Sequence, residues 1–331
     1  MKQNNKMKFK QRMKHPCLPL YFRKEKLLTT FSIYLAALLT IMFIITLTLS
    51  IKLLNADSCQ NEGNIIKYFS RATNMKNSSS NHRLALLVPY RDRFEELLEF
   101  VPYIHNFLNK QHISHGIYVL NQVDGYRFNR ASLINVGYLQ VKEEYDYIAM
   151  HDVDLLPLNA NLSYAYPQQP YHLAAPNLHP RYHYAKFIGG ILLINREQFG
   201  LVNGLSNNYW GWGLEDDEFY VRLKDANLNI TRPENVTTGI NNTFRHIHKR
   251  ERKRDTLKCY NQREITRKRD RKTGLHNIEY ELLTWKNMTI DFAPLTVMNI
   301  KLHCDLNLTP WCNCSSKSST PTSNIGKQSK S

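Results

Sequence analysis

Three short stretches of this sequence carry residue types that do chemistry in combination. His151-Asp152-Val153-Asp154 follows directly on an apolar run, Tyr145-Asp146-Tyr147-Ile148-Ala149-Met150. On extended chain, residues i and i+2 point to the same side, so Asp152 and Asp154 are expected to face one ligand together. Paired carboxylates suit a hard divalent cation that carries phosphate oxygens. An isolated Asp-x-Asp is also an ordinary turn or helix cap, and its place at a strand end is what distinguishes this one. Phe244-Arg245-His246-Ile247-His248 repeats the spacing with two imidazoles. Nitrogen ligands beside carboxylate favour Mn²⁺ over Mg²⁺. In a chain with 13 histidines, a pair of them gains meaning only next to the acidic pair.

The third stretch, Tyr209-Trp210-Gly211-Trp212-Gly213-Leu214-Glu215-Asp216-Asp217-Glu218, is the most unusual. Aromatic faces stack on the apolar faces of sugar rings, glycine lets a ring approach backbone, and a carboxylate accepts a hydroxyl proton. Glu215, Asp216 and Asp217 also complement the dipole of a helix that starts there. The two roles are compatible for different members of the trio.

The elements that position these residues follow from hydrophobic pattern. Leu84-Ala85-Leu86-Leu87-Val88-Pro89 reads as a buried strand, and Phe94, Leu97, Leu98, Val101 and Ile104 have helical spacing. Ile117-Tyr118-Val119-Leu120 reads as a second strand, residues 133–141 as a helix and residues 145–150 as a third strand. Strands alternating with helices imply an α/β domain with a largely parallel sheet, whose ligands sit beyond the carboxyl ends of the strands.

The 331 residues carry a net charge of +16. Residues 1–26 contribute nine Lys or Arg against Glu25, leaving half of the excess for everything after. Leu27 to Ile51 then runs 25 residues without a charge, a helix of about 37 Å at 1.5 Å per residue and long enough to span a bilayer. The basic flank orients such a span with its N-terminus in the cytosol, as an uncleaved signal anchor. Residues 52–81 read as a stem, residues 82–314 as the folded domain and residues 315–331 as a disordered tail. Sequons at Asn77, Asn161, Asn229, Asn235, Asn241, Asn287, Asn307 and Asn313 all follow the span. On this topology Cys59, Cys259, Cys304, Cys312 and Cys314 meet an oxidising lumen, where Cys304 and Cys312 would close a short loop and an odd thiol is left over. Residues 249–272 hold twelve Lys or Arg and four acidic residues. A lumenal position excludes nucleic acid as their partner and leaves a solvated face, with some cations available to a diphosphate or anionic glycan.

On Val88-Pro89-Tyr90-Arg91-Asp92-Arg93, Phe128-Asn129-Arg130-Ala131, Asn135-Val136-Gly137, Asp152-Val153-Asp154, Gly189-Gly190-Ile191 and Trp210-Gly211-Trp212-Gly213 with Glu215-Asp216-Asp217, residues 82–312 resemble the β-1,4-galactosyltransferase family, most closely its xylosylprotein branch. The resemblance implies a GT-A-like, Rossmann-like fold and inverting, Mn²⁺-dependent transfer of galactose from UDP-galactose to xylose on proteoglycan core proteins, at the Golgi membrane. It places Pro89, Tyr90, Arg91, Asp92, Arg93, Phe128, Asn129 and Arg130 at the uridine and ribose, and Asp154, His246 and His248 on Mn²⁺ with Asp152 nearby. Tyr182, Tyr184 and Trp212 would line the donor galactose and acceptor xylose, and Arg254 the diphosphate. Gly213, Glu215, Asp216 and Asp217 would form the sugar-binding edge, with Asp216 as base. His-x-His, where N-acetylglucosamine-using branches resemble Met-x-x-His, favours xylose as acceptor. The competing readings are a relative that uses N-acetylglucosamine as acceptor or UDP-N-acetylgalactosamine as donor, and a membrane-anchored lectin without turnover.

Overall fold

A computed structural model of the chain describes residues 38–48, 82–248 and 251–314. The expected stem and tail lie outside these residues, as does most of the expected span at 27–51. Its described part, helix α1 (38–48), has its side chains exposed, and among the described residues no helix is long and apolar enough to cross a membrane. The chain divides into two units, Met1–Ser78 and Ser79–Ser331, and every described strand belongs to the second.

Strands β1 (Arg83–Tyr90), β2 (Ser114–Gln122), β3 (Tyr147–His151), β5 (Tyr171–His172), β6 (Ile191–Asn195), β8 (Tyr280–Ile290) and β9 (Ala293–Leu302) form one sheet. Their order is β5-β6-β3-β1-β2-β9-β8. The expectation of a largely parallel sheet holds only for its centre. β3, β1, β2 and β9 run parallel, whereas β6, β5 and β8 attach antiparallel. At the β8 edge the reason is a two-residue hairpin loop, Asp291-Phe292, with φ of 46° and 65°. Positive φ at both loop residues matches the twist of two antiparallel strands and leaves no room for a crossover helix.

β1 is apolar on both faces because both are covered. Leu84, Leu86 and Val88 join the core under helix α2 (Phe94–Lys110), and Ala85 and Leu87 join the one under helix α3 (Arg130–Val141). Each wholly buried leucine contributes about 2 kcal/mol of transfer free energy. The buried stripe of α2 is Leu97, Phe100, Val101, Ile104 and Leu108, while Phe94 and Leu98, expected inside, are exposed. α3 approaches β1 and β2 closely at Gly137, where a Cβ would stand 2.7 Å from Leu120 Cδ1. Its first turn is capped by the Asn129 side chain, which accepts from Ser132 N at 2.9 Å. The carboxyl ends of β1 and β3 therefore deliver Pro89-Tyr90 and His151-Asp152 to the same rim of the sheet.

Candidate active site and metal centre

Beyond that rim the chain turns at once. Leu155 N donates to Asp152 O at 3.3 Å, so Asp152-Val153-Asp154 is a tight turn and not the extended segment its spacing implied. The two carboxylates diverge. Asp152 accepts from Arg130 Nε at 2.9 Å, whereas Asp154 faces the histidines. The turn leads into β4 (Leu155–Pro157), which pairs antiparallel with β7 (Phe244–His246) in the register Leu155↔His246. Ile247 N adds a bond to Asp154 O at 2.8 Å. This small ladder joins two stretches about ninety residues apart. It sets Asp154 Oδ2 3.0 Å from His248 Nδ1 and 3.5 Å from His246 Nε2. One ligand atom from each of the three residues lies within 4.8 Å of the others. Burial lowers the His246 pKa against the pull of Asp154, which keeps its nitrogen lone pair available. Two imidazoles and one carboxylate make a mixed nitrogen and oxygen donor set that can hold a divalent transition metal such as Mn²⁺.

The acidic stretch opens helix α4 (Glu215–Asp225), entered through Leu214 at φ 77°. Arg130 reaches this helix from α3. Its Nη1 donates to Asp216 Oδ1 at 3.1 Å while its Nε holds Asp152. Burial alone would lower the Arg130 pKa, but Asp152, Asp216 and Glu215 outweigh it and raise it. Expected at the nucleotide, Arg130 lines the cleft and its guanidinium ties the metal turn to the acidic helix start. Burial pushes the Asp216 carboxyl up to about 7 against Arg130, with Glu215, Asp152 and Asp217 adding to the rise. Glu215 is raised for the same reason, and its Oε2 is buried with no hydrogen-bond partner among the described residues. Gly189 packs directly on Asp216, since a Cβ there would stand 2.3 Å from its Oδ2.

These groups line one cleft of about 560 Å³, a size that holds small-molecule ligands. Pro89, Arg91, Asp92, Arg93 and Phe128 also line it, as do Tyr182, Tyr184, Trp212, Gly213 and Asp217. Asp217 hydrogen-bonds with Tyr184, whose pKa is raised by burial and then by Asp217. Arg254 lies over two rings, 5.6 Å from the centroid of Tyr182 and 5.2 Å from that of Trp212. Two expected residues are absent from the lining. Tyr90 packs against the core under α2, and Asn129 is wholly buried, its amide donating to Asn207 O at 2.9 Å in addition to capping α3. Arg91 lines the cleft with its guanidinium turned inward, to the carbonyls of Gln122, Asp124 and Tyr126.

Sequence reading missed His179, Phe187, Lys253 and Lys258, all in the lining. The density of rings in His179-Pro180-Arg181-Tyr182-His183-Tyr184 was the available signal. His179 Nδ1 accepts from Arg181 N at 3.0 Å and Tyr182 N at 3.1 Å, fixing the loop that carries both tyrosines. The basic stretch turns out to wall the cleft. Trp212 N donates to Asp255 O at 2.8 Å and Lys258 Nζ to Trp212 O at 3.1 Å, while Asp255 is clamped by Arg127. Disulfide Cys259–Cys314 ties this stretch to the end of the domain, and Cys304–Cys312 closes a short loop within that end. The second pairing is the expected one, and Cys59 lies outside the described residues.

A family model for the N-terminal region of glycosyl transferase group 7 matches residues 44–167, and one for the N-terminal domain of galactosyltransferase matches residues 169–248. The chain is 63% identical over 240 residues to β-1,4-galactosyltransferase 7 of Drosophila melanogaster, covering 72% of this chain and 74% of that one. It is 49% identical over 240 residues to xylosylprotein 4-β-galactosyltransferase of Caenorhabditis elegans, covering 71% and 83% respectively. A crystal structure of a mutant Drosophila β-1,4-galactosyltransferase 7 in complex with manganese, UDP-Gal and xylobiose matches with a TM-score of 0.70 at 63% identity, over 71% of this chain and 100% of that one. The mixed sheet is accordingly that of a GT-A-like glycosyltransferase domain. With 63% identity over 240 residues, covering 74% of the Drosophila relative, the chain belongs to the β-1,4-galactosyltransferase family.

Proposed function

We propose that the protein transfers galactose from UDP-galactose to O4 of xylose on xylosylated proteoglycan core proteins, with inversion and with Mn²⁺. The observation that carries the reading is that the Asp154, His246 and His248 cluster and the Asp216 carboxylate face one cleft. The Drosophila relative crystallised with manganese, UDP-Gal and xylobiose supports the ligand set. Asp154, His246 and His248 would hold the metal, which when bound supplies positive charge beside the departing diphosphate. Asp216 takes the proton of the acceptor hydroxyl. The freed oxygen attacks C1 of galactose on the face opposite the nucleotide, and the bond from C1 to the diphosphate oxygen breaks. Arg130 orients Asp216 through their hydrogen bond. Trp212, Tyr182 and Tyr184 give the sugars apolar faces to stack on, and Arg254 meets the diphosphate.

The same reading makes residues 1–26 a cytosolic tail, 27–51 a signal anchor, 52–81 a stem and 82–314 the lumenal catalytic domain of a single-pass type II protein of the Golgi membrane. The uncharged span behind a basic flank supports it. The test is UDP release from UDP-galactose plus a simple xyloside, with and without Mn²⁺. Turnover with the xyloside that disappears in chelator is expected. Turnover only with N-acetylglucosamine, or none with any acceptor, would overturn the assignment.

A further inference from the structure

β8 is the last strand of the sheet, and among the described residues none pairs with its outer side. An open edge strand of 11 residues is a template for pairing with another chain, and this one exposes Leu283, Trp285 and Met288. In its middle lies Trp285-Lys286-Asn287-Met288-Thr289. Trp285 pairs with Met298 and Asn287 with Thr296. Being two residues apart on a strand, the indole and the amide stand on the same face. Trp285 is 45% exposed, and its other side meets buried Tyr118, 5.9 Å between centroids in an edge arrangement, so the ring is held in place. The Asn287 Oδ1 accepts from Thr296 Oγ1 at 2.9 Å, while its Nδ2, the atom that carries an N-linked sugar, has no hydrogen bond among the described residues.

We propose that Asn287 is N-glycosylated, and that the first sugar of the glycan stacks on Trp285 and covers the open edge of the sheet. In the modification, Asn287 Nδ2 bonds to C1 of a lipid-diphosphate-linked oligosaccharide. The bond from C1 to oxygen breaks, the lipid diphosphate leaves with the electron pair, and the amide proton passes to the transferase that catalyses the step. Sugar C–H groups on an indole face make a favourable contact, and a ring already fixed by Tyr118 loses little entropy in making it. Asn287 stands apart from the other sequons in this respect. Asn313 also follows a tryptophan by two residues, but Trp311 is only 1% exposed. The inference rests on the lumenal placement of the domain, and its failure is separable from failure of that placement.

The full chain, expressed in animal cells, is digested and its sequon peptides are mapped by mass spectrometry after enzymatic release of glycans in ¹⁸O water. The Asn287 peptide is expected to carry the label, and both Asn287→Gln and Thr289→Ala to remove one glycan step on gels with turnover unchanged. Enzymatic deglycosylation is expected to lower the melting temperature by about 2–4 °C, and not to do so in Trp285→Ala. An unmodified Asn287 in molecules glycosylated at another sequon overturns the proposal and leaves the topology standing. A chain modified at no sequon overturns both. An equal thermal shift with and without Trp285 removes the stacking.

Discussion

Replacing Asp216 by Asn separates rate from stability, because the same burial that prepares the carboxyl for proton transfer works against its ionised form. The folded-state pKa is pushed up to about 7, above the usual carboxylate range. Between the unfolded and folded pKa values the folded chain binds the extra proton, so this group's contribution falls as pH rises from about 4 to about 7 and is flat above. Three units correspond to about 4 kcal/mol at most. The Asp216 side chain is 25% exposed, and solvent access brings the expected gain for Asn to about 1–2 kcal/mol at pH 8, or about 2–8 °C in melting temperature. Asn keeps the size and a hydrogen-bond acceptor for Arg130 but cannot take a proton, so kcat falls by about 10²- to 10⁴-fold. In the parent enzyme the rate is expected to rise with pH through about 7, as this carboxyl loses its proton. Paired melting curves in chelator at pH 5 and pH 8, with UDP-release kinetics in Mn²⁺, read both effects. A variant with near-parental kcat, or one less stable than the parent at pH 8, refutes the reasoning, the first outcome moving the base to Glu215 or Asp217.

Asp154→Ala, His246→Ala and His248→Ala should each weaken Mn²⁺ binding measured by calorimetry on the folded protein, since each removes one of three converging ligands. Gly189→Ala places a carbon 2.3 Å from Asp216 Oδ2 and should cost turnover while leaving Mn²⁺ affinity intact. Equal loss of both would mean that the substitution disturbs the whole cleft. Cys259→Ser frees the basic wall from the end of the domain across a separation of 55 residues. Denaturant unfolding should register a loss of about 2–4 kcal/mol, and unchanged stability would deny the crosslink a structural role. Phe292→Gly relieves a bulky residue at φ 65° with its side chain 98% exposed, and should raise stability by about 1 kcal/mol in the same assay.

The sequence by itself determined what could be read within a few turns of chain. The run Leu84 to Val88 specifies a strand buried on both faces, because alternate side chains of a continuous apolar segment need cover on each side. The short separation of Cys304 and Cys312 made their pairing a candidate, which the structure bears out, and the chemistry on offer at Asp154, His246, His248 and Asp216 was visible from residue type. The sense of the outer strands was not, since it depends on which distant segment meets which edge. Nor was the direction of a side chain at a turn. Asp152 and Asp154 share a spacing that implies one face, yet the turn after β3 gives one carboxylate to Arg130 and the other to the histidines. The histidines reach Asp154 only because β4 pairs with β7. Asn129 and Arg91, apt for a ligand by type, are taken up by capping α3 and by holding loop carbonyls. Tertiary structure decided these matters because most buried polar side chains are hydrogen-bonded, and the partner is chosen by the fold and not by neighbours in sequence.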